Sequence, residues 1–133
     1  MIFGIGTDII QISRIEKILT KHPTLFIDKY FSQIELEKYK NQKLSTQQLA
    51  SKLAKFFAAK EAFVKALGTG FRFGINLKDI QILSNELGKP YIKIIGTTQN
   101  YIEKNIKNYN TLKYHLSLSD DYPNGIAFVV IEN

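Results

Sequence analysis

The feature that most constrains the fold is a long amphipathic helix that ends at a glycine-rich turn. Residues 49–67 carry apolar side chains at helical spacing, and Gly68 follows the last of them directly. At 100° per residue, one apolar stripe contains Leu49, Leu53, Phe56, Phe63 and Leu67. This side of the helix is therefore expected to be buried.

The N-terminal residues 2–7 (IFGIGT) have the β-branched and aromatic composition of a buried strand. Because side chains alternate between the two faces of a strand, Gly4, Gly6 and Asp8 are expected on one face. Asp8 is expected to end the strand, on the face that the glycines leave open.

Two capping-box patterns, S-x-x-E, predict where the next helices begin. The first predicts a helix from Ser13 that Pro23 ends, and the second predicts a short helix from Ser32 to about Lys40. The polar stretch 41–48 is predicted to be a loop before the long helix.

After Ile80 the pattern changes to strands, DIQIL and YIKII, with a turn at NELGKP between them. A polar helix is predicted at 97–108, and KYHLSLS and GIAFVVIE are predicted to form a terminal hairpin. There is no internal repeat or linker. The sequence therefore predicts one α+β domain over residues 1–133, with helices packed on a mainly antiparallel sheet.

Composition limits the partners and the compartment. The chain has 18 Lys and Arg against 12 Asp and Glu, which favours nucleic acid, phosphorylated small molecules or an acidic protein without choosing among them. The absence of cysteine excludes disulfides and thiolate metal sites and fits the cytoplasm. No apolar run approaches the roughly 20 residues of a membrane span, and MIFGIGTDII lacks a signal-peptide pattern, so no membrane partner is expected.

Two adjacent charges, Lys60 and Glu61, fall on or beside the side of the long helix that is expected to be buried. An unpaired buried charge costs several kcal/mol, so each needs a partner, a metal ion or a ligand. Lys60 is expected to extend its ammonium to the surface. Glu61 either pairs with Lys65 or shares a hard cation with Asp8, since two carboxylates completed by phosphate oxygens and water make a typical Mg²⁺ site.

Three further features are candidates for function. The GTG turn at residues 68–70 caps the helix and can also present backbone N–H groups to phosphate. His115 lies on a predicted strand, where a histidine is either structural or catalytic. Arg14, Lys17 and Lys21 form a basic stripe along the first helix. The motifs of P-loops, dinucleotide-binding folds and serine hydrolases are absent.

Four motifs, taken in order, resemble those of a known family. They are G-I-G-T-D-I at the N-terminus, F-A-A-K-E-A-F-V-K-A-L-G-T-G in the long helix, L-G-K-P in the middle hairpin and H-L-S-L-S-D near the end. They are similar to the motifs of the holo-[acyl-carrier-protein] synthases, the small single-domain type of 4′-phosphopantetheinyl transferase. The resemblance covers nearly the whole chain, from Ile2 to about Glu132.

The resemblance implies an α+β fold, typically assembled as a homotrimer with active sites between adjacent subunits. It implies transfer of the phosphopantetheine arm of coenzyme A to a serine of an acidic acyl carrier protein, with release of adenosine 3′,5′-bisphosphate. It further implies a need for Mg²⁺ and a role in fatty acid biosynthesis, and no nucleic acid partner is expected.

The resemblance also assigns site residues. Asp8 and Glu61 match the residues that hold Mg²⁺ against the coenzyme pyrophosphate, and Lys65 matches a lysine near the coenzyme phosphates. His115 matches an active-site histidine, and Lys60 is a candidate to face the active site at a subunit interface. The segments that border the coenzyme are matched by Gly68, Thr69, Gly70, Lys89 and Pro90, and the carrier is expected to dock on Arg14, Lys17 and Lys21.

Two positions depart from the family pattern. Asp120 stands where many members have histidine, and Phe56 stands where many have arginine, with neighbouring Lys55 as the candidate to replace the arginine. An alternative function is a non-enzymatic basic module that binds nucleic acid or an acidic protein. Aromatic residues at core-periodic positions count against that alternative, and it gives no reason for Asp8 or Glu61.

Overall fold

The computed structural model describes residues 1–133 and contains five strands and five α-helices. The strands are β1 (Ile2–Gln11), β2 (Ile80–Ser84), β3 (Pro90–Ile94), β4 (Lys113–Asp121) and β5 (Asn124–Glu132). The helices are α1 (Ile12–Lys21), α2 (Pro23–Tyr30), α3 (Gln33–Leu36), α4 (Thr46–Leu67) and α5 (Gly96–Asn105). The predicted α+β class, with helices packed on antiparallel sheets, is confirmed.

The main sheet has three antiparallel strands in the order β1-β5-β4. The central strand β5 places Ala127 opposite Asp8 on one side and opposite Leu118 on the other. β1 continues past Asp8 to Gln11 because β5 pairs with it over that whole length. The prediction that Asp8 ends a strand was therefore wrong, since Asp8 lies inside β1.

The helix α4 packs directly on β1. A β-carbon at Gly4 would overlap the carbonyl oxygen of Ala66, and a β-carbon at Gly6 would overlap that of Ala62. The prediction that the glycines leave an open face was therefore wrong. They allow the backbones of β1 and α4 to come into contact, which brings Asp8 close to the C-terminal half of α4.

The core lies between α4 and the main sheet. The predicted apolar stripe is confirmed for Leu53, Phe56, Phe63 and Leu67, which are buried, whereas Leu49 is only partly buried. The buried side chains of β5 on the facing side are Ala127, Val129 and Ile131.

The boundary between β1 and α1 differs from the prediction. α1 begins at Ile12 without a side-chain cap, so the S-x-x-E pattern at Ser13 is not a capping box. The strand passes directly into the helix, and the Ile12 amide donates a 2.8 Å hydrogen bond to the Pro123 carbonyl. Pro23 follows the end of α1, as predicted, but it also begins α2, a helix that the sequence reading missed.

The other helix ends follow local sequence signals. The capping box of Ser32 and Glu35 is confirmed at α3. A second box, S-x-x-Q from Ser45, starts α4 inside the stretch that was predicted to be a loop. Gly68 ends α4 in the left-handed conformation, as predicted, with φ = 81°. None of the helices combines the length and apolar content that a membrane crossing requires.

The strands β2 and β3 form a separate two-stranded sheet, with Ile82 opposite Ile92. The turn between them is held by Asn85, whose side-chain oxygen accepts hydrogen bonds from the amides of Leu87 and Lys89. This hairpin therefore presents Lys89 and the start of β3 in a defined conformation.

The main sheet has an exposed outer face, turned away from α4. Thr7, Phe128 and Ser117 lie opposite one another in the register of the three strands, so they share this face. Its exposed apolar side chains are Phe3, Ile5, Ile9, Ile126 and Phe128. Apolar side chains grouped on one exposed face are typical of a surface that contacts another protein.

Candidate active site

The first group of candidate site residues meets where β1 contacts the last turns of α4. Lys65 donates hydrogen bonds from Nζ to Asp8 Oδ1 at 3.0 Å and to the Thr7 carbonyl at 2.9 Å. Glu61 lies one helical turn before Lys65 and is partly buried. Of the two alternatives for Glu61, the ion pair with Lys65 does not form, because β1 holds the Lys65 ammonium.

The electrostatic environment distinguishes Glu61 from the other carboxylates. Burial raises the pKa of the Glu61 carboxyl, the nearby Asp8 carboxylate raises it further, and the Lys65 ammonium lowers it. The charge of Asp8 acts on Glu61, so the two carboxylates lie within electrostatic range of each other. A cation between them would relieve their repulsion.

This pair of carboxylates fits a hard divalent cation. No cluster of three or more carboxylate, histidine or cysteine side chains is present that could enclose a metal ion. Mg²⁺ needs no such cluster, since it is usually held by one or two carboxylates and keeps water or phosphate oxygens on its other positions. Asp8 and Glu61 can therefore supply the protein ligands of such an ion.

The glycine-rich turn after α4 borders the same site. A pocket of about 380 Å³ opens here, and it is lined by Glu61, Val64, Lys65, Gly68, Gly70 and Phe71. Gly68 and Gly70 have φ values of 81° and 63°, which glycine adopts at little cost. Thr69 is buried, and its hydroxyl donates a 2.9 Å hydrogen bond to the Gly70 carbonyl, so Thr69 stabilises the turn.

A second group of candidate residues lies at a different pocket, of about 360 Å³, between the β2–β3 turn and β4. Lys89, Pro90 and His115 are among its lining residues. His115 Nε2 lies 2.8 Å from Glu132 Oε2, and this hydrogen bond lowers the pKa of Glu132. Glu132 was not among the predicted site residues, although the predicted terminal hairpin already implied that the start of β4 pairs with the end of β5.

One chain does not bring the two groups together. Asp8 lies on the face of β1 that contacts α4, because it is opposite the buried Ala127. His115 lies on the outer face of β4, opposite Val130, and β5 separates the two strands. Within a single chain the candidate residues therefore form two half-sites.

Lys60 belongs to neither half-site, and both predictions for it were wrong. It neither reaches the surface nor faces a site: its side chain is fully buried, and Nζ lies 2.8 Å from Oε1 of Glu35. The carbonyls of Leu77 and Ile80 accept further hydrogen bonds from Nζ at 2.9 and 2.7 Å. Burial lowers the pKa of Lys60 to about 8, while the Glu35 carboxylate raises it. Glu35 was not predicted as the partner because it lies 25 residues from Lys60 along the chain and also forms the capping box of α3.

Asp120, one of the two departures from the family pattern, pairs with Lys55, the residue beside the other departure, Phe56. Lys55 Nζ lies 2.8 Å from Asp120 Oδ1, and the hydroxyl of Ser51 donates to Asp120 Oδ2 at 3.3 Å. The hydrogen bond from Lys55 lowers the pKa of Asp120. Phe56 is buried in the core. Lys55, the candidate to replace the arginine, is therefore already paired with Asp120.

The basic stripe of α1 is exposed. Arg14, Lys17 and Lys21 all lie on the solvent side of the helix. None of the five ion pairs in the structure includes them. Their charges are therefore available to an acidic partner.

The fold and the first half-site define a small α+β protein in which two carboxylates and a lysine lie beside a helix-ending turn. The model of the 4′-phosphopantetheinyl transferase superfamily matches residues 4–126, and the chain belongs to that family. The holo-[acyl-carrier-protein] synthase of Wolbachia pipientis subsp. Culex pipiens is 50% identical to it, over 98% of this chain and 98% of the relative.

Solved structures agree with this assignment. The holo-ACP-synthase from Plasmodium yoelii has a TM-score of 0.82 and 33% identity, with 98% of this chain and 94% of that chain covered. The Helicobacter pylori holo-[acyl-carrier-protein] synthase in complex with coenzyme A has a TM-score of 0.75 and 30% identity, with 96% and 99% covered. The resemblance inferred from the four motifs is confirmed.

Proposed function

We infer that this chain transfers the 4′-phosphopantetheine arm of coenzyme A to a serine of apo acyl carrier protein and releases adenosine 3′,5′-bisphosphate. The observation that carries this inference is the meeting of Asp8, Glu61 and Lys65 beside the turn at 68–70, in a chain of this superfamily. The Helicobacter pylori relative binds coenzyme A, which supports the same ligand here.

The protein contributes mainly positioning and charge neutralisation, because phosphoryl transfer requires little covalent chemistry from side chains. Lys65 is proposed to bind pyrophosphate oxygens, and the 55% exposure of its side chain supports this role. The carrier serine attacks the β-phosphorus, and the bond to the adenosine bisphosphate breaks. Glu61 is one proposed acceptor of the serine proton, and a metal-bound hydroxide or another carboxylate is the alternative.

The proposed cofactor is Mg²⁺, with Asp8 and Glu61 as its protein ligands. When bound, the ion neutralises negative charge on the pyrophosphate. The carboxylate pair and the raised pKa of Glu61 support this assignment, since burial and the nearby Asp8 carboxylate make the charge of Glu61 unfavourable without a cation.

The proposed assembly is a homotrimer in which the outer faces of the main sheets lie in the interfaces. The exposed apolar side chains of that face support an interface, and the family resemblance supplies the number three. The separation of the half-sites supports an active site shared between subunits. Lys89, Pro90 and His115 of one subunit would complete the site of Asp8 and Glu61 in its neighbour.

The proposed docking surface for the carrier is the exposed stripe of Arg14, Lys17 and Lys21. Complementary charge raises the rate of association with an acidic partner. The chain is proposed to act as one domain over residues 1–133, in the cytoplasm and in support of fatty acid biosynthesis.

The activity is tested by incubating the protein with apo carrier, coenzyme A and Mg²⁺ and measuring the intact carrier mass. We expect the carrier to gain one phosphopantetheine, and we expect EDTA or Glu61→Gln to suppress the gain. Glu103→Gln, at an exposed position of α5, is the matched control and should retain activity. No mass gain with any apo carrier tested would contradict the proposed activity, and full activity of Glu61→Gln would contradict the proposed metal ligand.

The shared site is tested by mixing two inactive variants, Glu61→Gln and His115→Ala, under conditions that exchange subunits. Mixed trimers should regain part of the activity, because some interfaces then pair an intact Glu61 with an intact His115. Native mass spectrometry verifies that mixed trimers form. Mixed trimers without recovered activity would contradict a site built from two subunits.

A further inference from the structure

The ion pair of Lys60 and Glu35 is fully buried, and the proposed transfer reaction does not use it. Removing two charges from water costs several kcal/mol for each ion, and their mutual attraction offsets this cost only where geometry and further hydrogen bonds are favourable. Apolar side chains of similar volume often stabilise a protein as well or better. Stability is therefore not a sufficient reason for this pair.

The pair joins three separate segments. Glu35 Oε1 accepts a 3.0 Å hydrogen bond from the Ile82 amide, and Oε2 accepts a 2.8 Å hydrogen bond from the Ser32 amide. Lys60 donates to the carbonyl of Leu77, which lies just before β2, and to that of Ile80, the first residue of β2. The network thus connects α3 and α4 with the first strand of the β2–β3 hairpin.

Lys60 makes the polar connection between α4 and this hairpin. The other α4 side chains that form hydrogen bonds reach Ser45, Asp120, Thr7 or Asp8, none of which lies in residues 77–94. Apolar contacts tolerate small shifts, whereas satisfied buried hydrogen bonds specify one arrangement of the groups that form them. The network therefore fixes the position of β2 along α4.

We propose that Lys60 and Glu35 are positioning residues, which hold the β2–β3 hairpin against α4 and so place Lys89 and Pro90 for coenzyme binding. The proposal rests on the contact of Lys89 and Pro90 with the coenzyme, as stated under the proposed function. It adds that Lys60 and Glu35, although remote from coenzyme A, set the affinity of the protein for coenzyme A.

The geometry predicts a selective effect. The half-site of Asp8 and Glu61 is set by the contact of β1 with α4 at Gly4 and Gly6, which the buried pair does not touch. The carrier surface lies on α1. Loss of the pair should therefore weaken coenzyme binding and leave carrier recognition unchanged.

The test uses the double variant Glu35→Gln/Lys60→Met, which removes both charges at similar volume. The matched control is Glu37→Gln/Lys40→Met, which removes an ion pair of the same residue types, 3.0 Å long and exposed. Calorimetry with coenzyme A gives Kd, steady-state kinetics gives KM for both substrates, and thermal unfolding gives Tm. A merely structural pair would change Tm alone.

In the double variant we expect the Kd and KM for coenzyme A to rise about tenfold or more, because the coenzyme-binding segment is displaced. The KM for the carrier should stay within about twofold, and the control variant should match the wild type. A folded double variant with unchanged coenzyme affinity would overturn the proposal, and so would equal rises in both KM values.

A second variant covers the case in which the double variant does not fold. Lys60→Arg keeps the charge but presents a planar donor group that cannot satisfy the same three acceptors. It should show the same selective loss of coenzyme affinity. If neither variant folds, the pair is required for folding itself and the proposal is wrong.

A final variant separates this proposal from the one on which it rests. Lys89→Ala should raise the Kd for coenzyme A. If it has no effect, the assumed coenzyme contact is wrong and the positioning role fails with it. If Lys89→Ala weakens binding and the double variant does not, only the positioning role fails. Transfer activity of the wild type tests the proposed function independently.

Discussion

Lys60 and Lys65 lie on the same helix, and each forms an ion pair with one carboxylate from another element. The pair of Lys60 with Glu35 is fully buried, whereas in the pair of Lys65 with Asp8 the lysine is 55% exposed and the aspartate 19%. The chain supplies four acceptor contacts to Lys60, so no donor is left for a ligand. Lys65 keeps solvent access, and a ligand can replace its partner. The same pair of chemical groups is thus enclosed by the protein at one place and open to solvent at the other.

The largest expected difference between the two pairs is in stability. Glu35→Gln leaves the Lys60 ammonium buried without its counter-charge and should lower the free energy of unfolding by about 3–5 kcal/mol. Asp8→Asn breaks the exposed pair and should lower it by less than about 1 kcal/mol. Urea unfolding near neutral pH measures both. Similar losses would show that burial does not distinguish the pairs.

The reverse order is expected for activity. Lys65→Met should reduce kcat/KM by about 100-fold, because the ammonium neutralises charge that develops on the pyrophosphate. Its melting temperature should change by no more than about 2 °C, since an exposed pair adds little stability. Lys104→Met, at an exposed position of α5, is the control and should be fully active. If Lys65→Met were fully active, the pair of Lys65 with Asp8 would have no role in the proposed site.

A smaller effect is expected for the exposed basic residues of α1, which are proposed to contact the carrier protein rather than a bound phosphate. Lys17→Glu should raise the KM for the carrier about tenfold and leave the KM for coenzyme A within about twofold. The difference in the KM for the carrier between Lys17→Glu and the wild type should become smaller as salt is added, because salt screens the attraction between the two proteins. Lys104→Glu provides a charge reversal of the same size away from α1. Equal effects of the two reversals would exclude a specific docking surface on α1.

The smallest effect concerns the pH dependence of the exposed site. The pKa of Glu61 is raised above its ordinary value of 4.5, so the folded protein keeps this proton at pH values where the unfolded chain has lost it. The contribution of Glu61 to the free energy of unfolding should therefore increase as pH falls from neutral towards 4.5. We expect less than about 1 kcal/mol, because solvent screens a partly exposed carboxyl.

This change is measured as the difference in unfolding free energy between the wild type and Glu61→Gln, in the presence of a chelator. The subtraction removes the titration of the other carboxylates, which both proteins share. A difference that does not change with pH would show that the environment of Glu61 does not raise its pKa.

Local patterns allowed several correct predictions. The spacing of Leu53, Phe56 and Phe63 indicated the buried side of α4, and Gly68 indicated its end, because both signals lie within one helix. The order of the four motifs indicated the family and its fold. The predicted helix cap at Ser13 was wrong because β1, which pairs with β5 up to Gln11, passes directly into α1 at Ile12.

For the candidate site residues, too, local motifs were predictive, whereas contacts between distant segments were not. The sequence identified Asp8, Glu61 and Lys65 through the motifs that contain them. It did not indicate that Lys65 pairs with Asp8 and not with Glu61, since that choice depends on how β1 crosses α4. Nor did it separate His115 from Asp8, because the two faces of the main sheet are defined only once the strands pair.

The sequence by itself determined the α+β class, the family, the buried side of α4 and the residue types of the site, because these depend on neighbouring residues or on motif identity. Only the tertiary structure decided which charges are paired. Glu35 is 25 residues from Lys60 along the chain, yet the fold places it in contact with the ammonium. The energy of a charge depends on its distance from solvent and from other charges, and neither distance exists before the chain folds.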